Sequence, residues 1–304
     1  MTDTTQVTPA AWKCLEGAYD VQIHVGPDVI PRRIDDIDCA REFLAHGLKG
    51  FVLKSHYVPT GERAQVVRKA VPGFAACGAI TLNHSVGGFN PVAVELAGRS
   101  ACKMVWMPTV DAENETAGRL DGGGDKLPFW AKIQRELAAE GISPPPLNAL
   151  DASGKVVEPA RRCLERIAKH NMILATGHLG RREIFGLVRA ARDIGVKKVL
   201  VTHAEFPSQS LTGDEQKELA DLGAIIEHCF TTTYTNKAPW ETAFANIRKT
   251  GVSRTLISTD LGQTINPPVA EGFAMFAQRL LDAGFSADEI RTMAVTVPTR
   301  LIEE

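Results

Sequence analysis

Four short stretches set proton-transferring and cation-binding residues at the abrupt ends of apolar runs: Ala175-Thr176-Gly177-His178, Val201-Thr202-His203, Ile226-Glu227-His228 and Ser258-Thr259-Asp260. A fifth, Tyr19-Asp20-Val21-Gln22-Ile23-His24-Val25, alternates polar and apolar residues until Gly26-Pro27 breaks it. Period two places Asp20, Gln22 and His24 on one face and Val21, Ile23 and Val25 on the other. One histidine after a strand is more often structural than functional. Here His24, His178, His203 and Asp260 end four separate strands, so in a closed ring of strands they converge. Imidazole nitrogens with a carboxylate oxygen suit a zinc-like or manganese-like ion and leave a position for water.

Convergence requires a barrel, and the chain has the alternation for one. Strand-like runs at 19–25, 50–54, 74–82, 102–107, 172–176, 198–202, 224–229 and 255–258 alternate with helical spacing at 35–46, 62–70, 90–98, 158–170, 182–194, 214–222, 239–249 and 267–283. Eight strand-helix units with right-handed crossovers predict an α/β fold, a (β/α)8 TIM barrel, as a single domain over 1–304. Between 110 and 157 the alternation lapses into turn-forming runs around one helix near 128–139, which predicts an insertion after strand four, a lid over the barrel mouth. A terminal helix over 286–301 is expected to pack outside.

Composition narrows the class. With 44% hydrophobic and 23% charged residues and a net charge of -2, the 304-residue chain reads as soluble and globular. The absence of a dense Lys/Arg block argues against nucleic acid, and no apolar run is long enough for a membrane span. Six cysteines without a C-x-x-C pair predict reduced, mostly buried thiols. The polar start, Met1 to Ala10, has no signal-peptide core, which points to the cytoplasm. A small-molecule substrate is expected, with a homo-oligomer as an open option.

Other polar residues join the expected site. Lys54 ends strand two, and His56 two positions later can project to the same side, where it touches metal or substrate. His84 lies beside Gly87-Gly88, in a binding or a loop-structural role. Gln22, Asp28, His84, Glu227 and Arg32 stand as substrate-binding candidates, Arg32 for a carboxylate. His228 is expected to face the helices.

The strings Val25-Gly26-Pro27-Asp28, Lys54-Ser55-His56-Tyr57-Val58-Pro59-Thr60, Val86-Gly87-Gly88-Phe89-Asn90-Pro91, Val105-Trp106-Met107-Pro108-Thr109 and Ser258-Thr259-Asp260-Leu261-Gly262-Gln263 carry a resemblance. With the order of histidines and Asp260 along nearly the whole chain, they resemble the amidohydrolase superfamily of metal-dependent hydrolases, within a little-characterised amidohydrolase-like branch. The resemblance implies His24, His178, His203 and Asp260 as metal ligands, with Asp260 also taking a proton from metal-bound water. One departure stands out: the usual first His of a His-x-His pair is Gln22, a much poorer ligand. The lysine or glutamate that bridges two ions in such enzymes usually comes from strand four, where nothing at the strand end fits. Lys54 is left as a bridging carbamate, a substrate-carboxylate anchor or a neutral donor.

The expected activity is hydrolysis by metal-activated water of an amide, cyclic imide, lactone or ester, C–N bonds being frequent in the superfamily. One or two divalent ions are expected, zinc first and manganese or iron next; Asp260, Lys54 and His56 carry the catalysis. The alternatives are a metal-dependent decarboxylase or hydratase and a binding protein without turnover.

Overall fold

Eight short strands, β1 (Tyr19–Ile23), β2 (Gly50–Leu53), β3 (Ala75–Thr81), β4 (Cys102–Trp106), β5 (Ile173–Ala175), β6 (Lys198–Val201), β7 (Ile225–Cys229) and β8 (Thr255–Ser258), pair in parallel in sequence order. The structure, a computed structural model, describes residues 5–116 and 129–304. Just beyond the last strand the chain returns to the first: the Asp260 amide donates to Gln22 O at 2.8 Å and the His24 amide to Leu261 O at 2.7 Å. Those bonds close the ring as the (β/α)8 barrel expected. Gly262 makes the join possible, since a Cβ there would lie 1.6 Å from His24 O.

Helices α1 (Pro9–Cys14), α2 (Asp36–Ala45), α3 (Gly61–Ala70), α4 (Pro91–Arg99), α5 (Glu113–Thr116), α6 (Phe129–Ala139), α7 (Glu158–Lys169), α8 (Arg181–Ile194), α9 (Gly213–Asp221), α10 (Phe230–Tyr234), α11 (Trp240–Thr250) and α12 (Val269–Asp282) follow. Their starts obey local chemistry. Asp35, Asn90 and Thr212 each accept backbone N–H groups of the following first turn. The outward strand residues, such as Phe51, Leu53, Leu174 and Val201, pack on the helices. Val52, Met104, Trp106, Leu200 and Leu256 fill the barrel interior.

Two expectations fail on physical grounds. The alternation of the first strand does not persist: a register irregularity between Asp20 and Ile23 puts Val21 in the barrel interior but Ile23 and Val25 in the outer core. The terminal helix is neither single nor outside. It divides into α13 (Ala287–Arg291), a π turn over Thr292–Thr296 and α14 (Val297–Glu303), whose Val297, Leu301 and Ile302 join the interior cluster and close the barrel from beneath.

Of the stretch 110–157, residues 117–128, including Asp121-Gly122-Gly123-Gly124-Asp125, lie outside the described residues. The remainder folds on itself, as Ala112 pairs with Leu147, and is tied to α8 of the barrel by the Ala149 amide, which donates to Glu183 Oε1 at 2.7 Å. All six cysteines are free and buried. Among the described residues no helix is long and apolar enough to cross a membrane.

Candidate active site

Asp260 lies two residues past β8 with φ of 54°, and His203, past β6, has φ of 28°. Left-handed backbone at a non-glycine residue costs about 1–3 kcal/mol and persists where the surroundings impose it. Both turns aim a side chain across the barrel mouth. His178 is aimed likewise through Gly177, where a Cβ would lie 2.3 Å from Met107 O. His24, Lys54, His56, His178, His203 and Asp260 all reach this mouth; Asp260 is half-buried and the others are buried.

The histidines form an arc. His24 stacks on His56 with ring centroids 4.9 Å apart, His56 meets His178 edge-on at 6.0 Å, and His178 lies 4.9 Å from His203. Burial holds the pKa of each ring down, that of His24 to about 4, so the rings are neutral at neutral pH.

Asp260 closes the arc against His24. Its Oδ1 accepts from Gln22 Nε2 at 2.7 Å and faces His24 Nε2 at 3.0 Å; its Oδ2 accepts from Thr231 Oγ1 at 3.1 Å. Burial alone would raise this carboxyl, but the His24 hydrogen bond and the charge of Lys54 hold it well below the usual range. Arg32 decides the His24 tautomer. Its Nη2 lies 3.4 Å from His24 Nδ1, and a guanidinium only donates, so Nδ1 accepts and the proton sits on Nε2, facing Asp260.

This commitment of side chains bears on the expected metal centre. Among the described residues no three His, Cys, Asp or Glu side chains are grouped to hold an ion. The four expected ligands share one mouth, but Asp260 is taken by three donors and the His24 nitrogen facing it carries a proton. His178 turns Nδ1 toward buried Glu115 Oε2 at 3.5 Å. As they stand, Asp260 and His24 hold one another, and the four expected ligands would have to exchange these contacts to share an ion.

The remaining expected residues divide. Asp28, with its side chain fully buried, pairs with Arg32 at 2.6 Å, so the Arg32 charge is already matched. Glu227 props the mouth from behind: Oε1 accepts from Ser258 Oγ at 2.8 Å and Oε2 from the His203 amide at 3.2 Å. His84 ties loops together, its amide donating to Asp111 Oδ2 at 2.7 Å and its Nε2 contacting Pro145 O at 2.8 Å. His228 faces the helices, 3.0 Å from Glu205 Oε2. Lys54 is the exception. Its ammonium is buried over the Trp106 ring, 5.1 Å from the centroid, and among the described residues no side chain hydrogen bonds to it.

Three participants escape a reading of strand ends. Glu115 comes from α5, beyond the strand-four end where an acid was sought; Thr231 lies in the first turn of α10; Asp20 pins the seam by accepting from the Thr259 amide at 3.1 Å. Only Asp20 carried a signal, the polar run of the first strand.

The sequence profile of a family described as "Family of unknown function (DUF6282)" matches residues 17–227. No curated protein matches. Solved structures share the fold. An amidohydrolase from Pseudomonas aeruginosa is 11% identical with a TM-score of 0.61, covering 97% of this chain and 98% of its own. A dipeptidase titled a metallo peptidase is 14% identical with a TM-score of 0.60, covering 95% and 98%. A putative 2-pyrone-4,6-dicarboxylic acid hydrolase from Pseudomonas putida is 15% identical with a TM-score of 0.57, covering 94% and 97%.

Proposed function

Because the chain belongs to the DUF6282 family, whose description assigns no chemistry, its activity has to be argued from the barrel mouth, and we propose that it hydrolyses a small carboxylate-bearing molecule. One observation carries the reading: a buried amine, Lys54, over the Trp106 ring and without a hydrogen-bonding side chain among the described residues, whose pKa burial lowers while the charges of Asp260 and Glu227 raise it. An ammonium buried without a hydrogen-bonded counter-ion is costly, and a substrate carboxylate supplies one. The names of two solved fold relatives, a dipeptidase and a dicarboxylic acid hydrolase, are in keeping with hydrolysis.

In this reading Asp260 orders a water molecule and accepts its proton as the water oxygen bonds to the substrate carbonyl carbon. The proton passes to the departing oxygen or nitrogen as the old bond breaks. The Nε2–H of His24 and the amide of Gln22 hold the Asp260 carboxylate in place, and Arg32 holds His24 in the tautomer that does so. A carboxylate kept so acidic is a weak base. It suits an activated carbonyl, an ester or lactone, better than an unactivated amide.

One observation favours a metal-dependent version: the turn of His178 Nδ1 toward Glu115 matches the way carboxylates orient metal-bound imidazoles. An ion held with His203 would also need Asp260 to leave its present donors. A panel of carboxylate-bearing esters and lactones tests both versions. Wild type is expected to turn over a member of the panel, Asp260→Asn to lose at least about a hundredfold in kcat, and turnover to survive dialysis against a chelator. Full activity in Asp260→Asn removes Asp260 as the base. Loss on dialysis, restored by zinc, manganese or iron, establishes the metal-dependent version.

A further inference from the structure

At the end of the barrel opposite the mouth lies a cavity of about 280 Å³ that plays no part in the hydrolytic reading. Four cations stand around it: Lys197, Lys198, Arg254 and Arg300. Lys198 begins β6, Arg254 immediately precedes β8 and Arg300 lies on α14, so the hollow opens at the amino ends of the strands, while the mouth lies at their carboxyl ends. Lys198 is half-buried and the other three are exposed. Among the described residues lining the cavity, Glu304 alone is acidic.

Cations gathered in this way repel one another, so what balances them matters. Other surface cations have their counter-charge beside them: Arg41 meets Asp38, Arg99 meets Glu95, Arg161 meets Glu158 and Arg189 meets Glu218, at 2.7–3.1 Å. Among the described residues, none of the four cavity cations has an ion pair or a side-chain hydrogen bond. Lys103 on β4 adds a fifth charge nearby. Burial first, then the charges of Lys103 and Lys197, pull the Lys198 ammonium below the usual lysine range, while Glu304 pushes it up. The fold thus holds a cationic hollow with less negative charge than it needs.

A multivalent anion supplies that charge, and ammonium and guanidinium groups are the donors that phosphoryl oxygens take. The hollow equals the liquid volume of about nine water molecules, which is room for two phosphoryl groups. We propose that this cavity is a second binding site, for a compact diphosphate held by Lys197, Lys198, Arg254 and Arg300. It is independent of the carboxylate reading at the mouth.

The test is titration calorimetry of the full chain with phosphate and pyrophosphate at about 0.1 M salt, where exposed charges more than about 10 Å away are screened. Pyrophosphate should bind saturably and at least about tenfold more tightly than phosphate, because its second group meets charged donors of its own. Lys198→Gln and Arg254→Gln should each lower pyrophosphate affinity at least about tenfold; with two variants the proposal does not hang on one folding. Lys155→Gln, which removes an exposed cation from the loops after β4, and Lys54→Met at the mouth should leave it within about twofold. ADP in place of pyrophosphate identifies the source: equal affinity marks the diphosphate end of a larger molecule, and at least about tenfold weaker binding marks the free anion. Absence of saturable pyrophosphate binding overturns the site. So does equal loss in all four variants, which would be general attraction to positive charge, and so does loss in Lys54→Met with none in Lys198→Gln or Arg254→Gln, which would move the anion to the mouth.

Discussion

Asp260 owes its low proton affinity, against the burial that would raise it, to neighbours far away in sequence: His24, just past the first strand, whose hydrogen bond it accepts, and the charge of Lys54, just past the second. Its position at a strand end was legible, because Ser258-Thr259-Asp260 closes an apolar run. Its use was less so: the same polar residues that suggested an ion cage are spent on one another, and neither Arg32 at His24 Nδ1 nor Glu115 at His178 announces that from spacing. Gln22 was the one visible hint, an amide where a ligand was due, and it donates to the acid it was expected to sit beside. At this scale Lys54 is the residue to change. Lys54→Met should weaken acetate binding about tenfold to a hundredfold, the worth of a charged hydrogen bond in a buried site. Calorimetry that finds wild-type affinity would place the anion elsewhere.

Elements were easier to foresee than the faces they present. Helix starts at Asp35, Asn90 and Thr212 follow from the hydrogen-bonding habits of short polar side chains, and the strands fall within a residue or two of the apolar runs. The terminal helix was misplaced because an amphipathic run shows that one face is buried but not against what, and here the buried face meets the inside of the barrel. The first strand was misread beyond its midpoint, since an irregular register inverts the faces without changing composition. A side chain outside α6 helps to position it: Asp111 accepts from Gln134. Removing that acceptor in Asp111→Ala should speed amide hydrogen exchange over 131–139 at least tenfold while the barrel strands keep their protection. Equal protection in both proteins would show that α6 is held by packing alone.

The barrel as a whole stores opposing titrations. Burial pushes the carboxyls of Asp20 and Glu227 up to about 7 and pulls His24 down to about 4. A carboxyl raised on folding contributes stability below its unfolded value, near 4.5 for Glu227, and that contribution is lost as pH climbs through about 7. A histidine lowered on folding acts the other way, costing stability as pH falls from 6.5 toward 4. Glu227→Gln removes one of the alkaline losses. Relative to wild type, its unfolding free energy in urea should be higher at pH 8 than at pH 5 by about 2–3 kcal/mol. A difference that does not vary with pH would show that Glu227 does not titrate in the folded barrel. The seam between first and last strands has a further consequence. Gln22 and Asp260, 238 positions apart, meet only there, and Gly262 leaves no slack for them to meet approximately. A refolding chain can regain its helices, and most of its sheet, while still catalytically silent, and competence arrives in one step with the last strand.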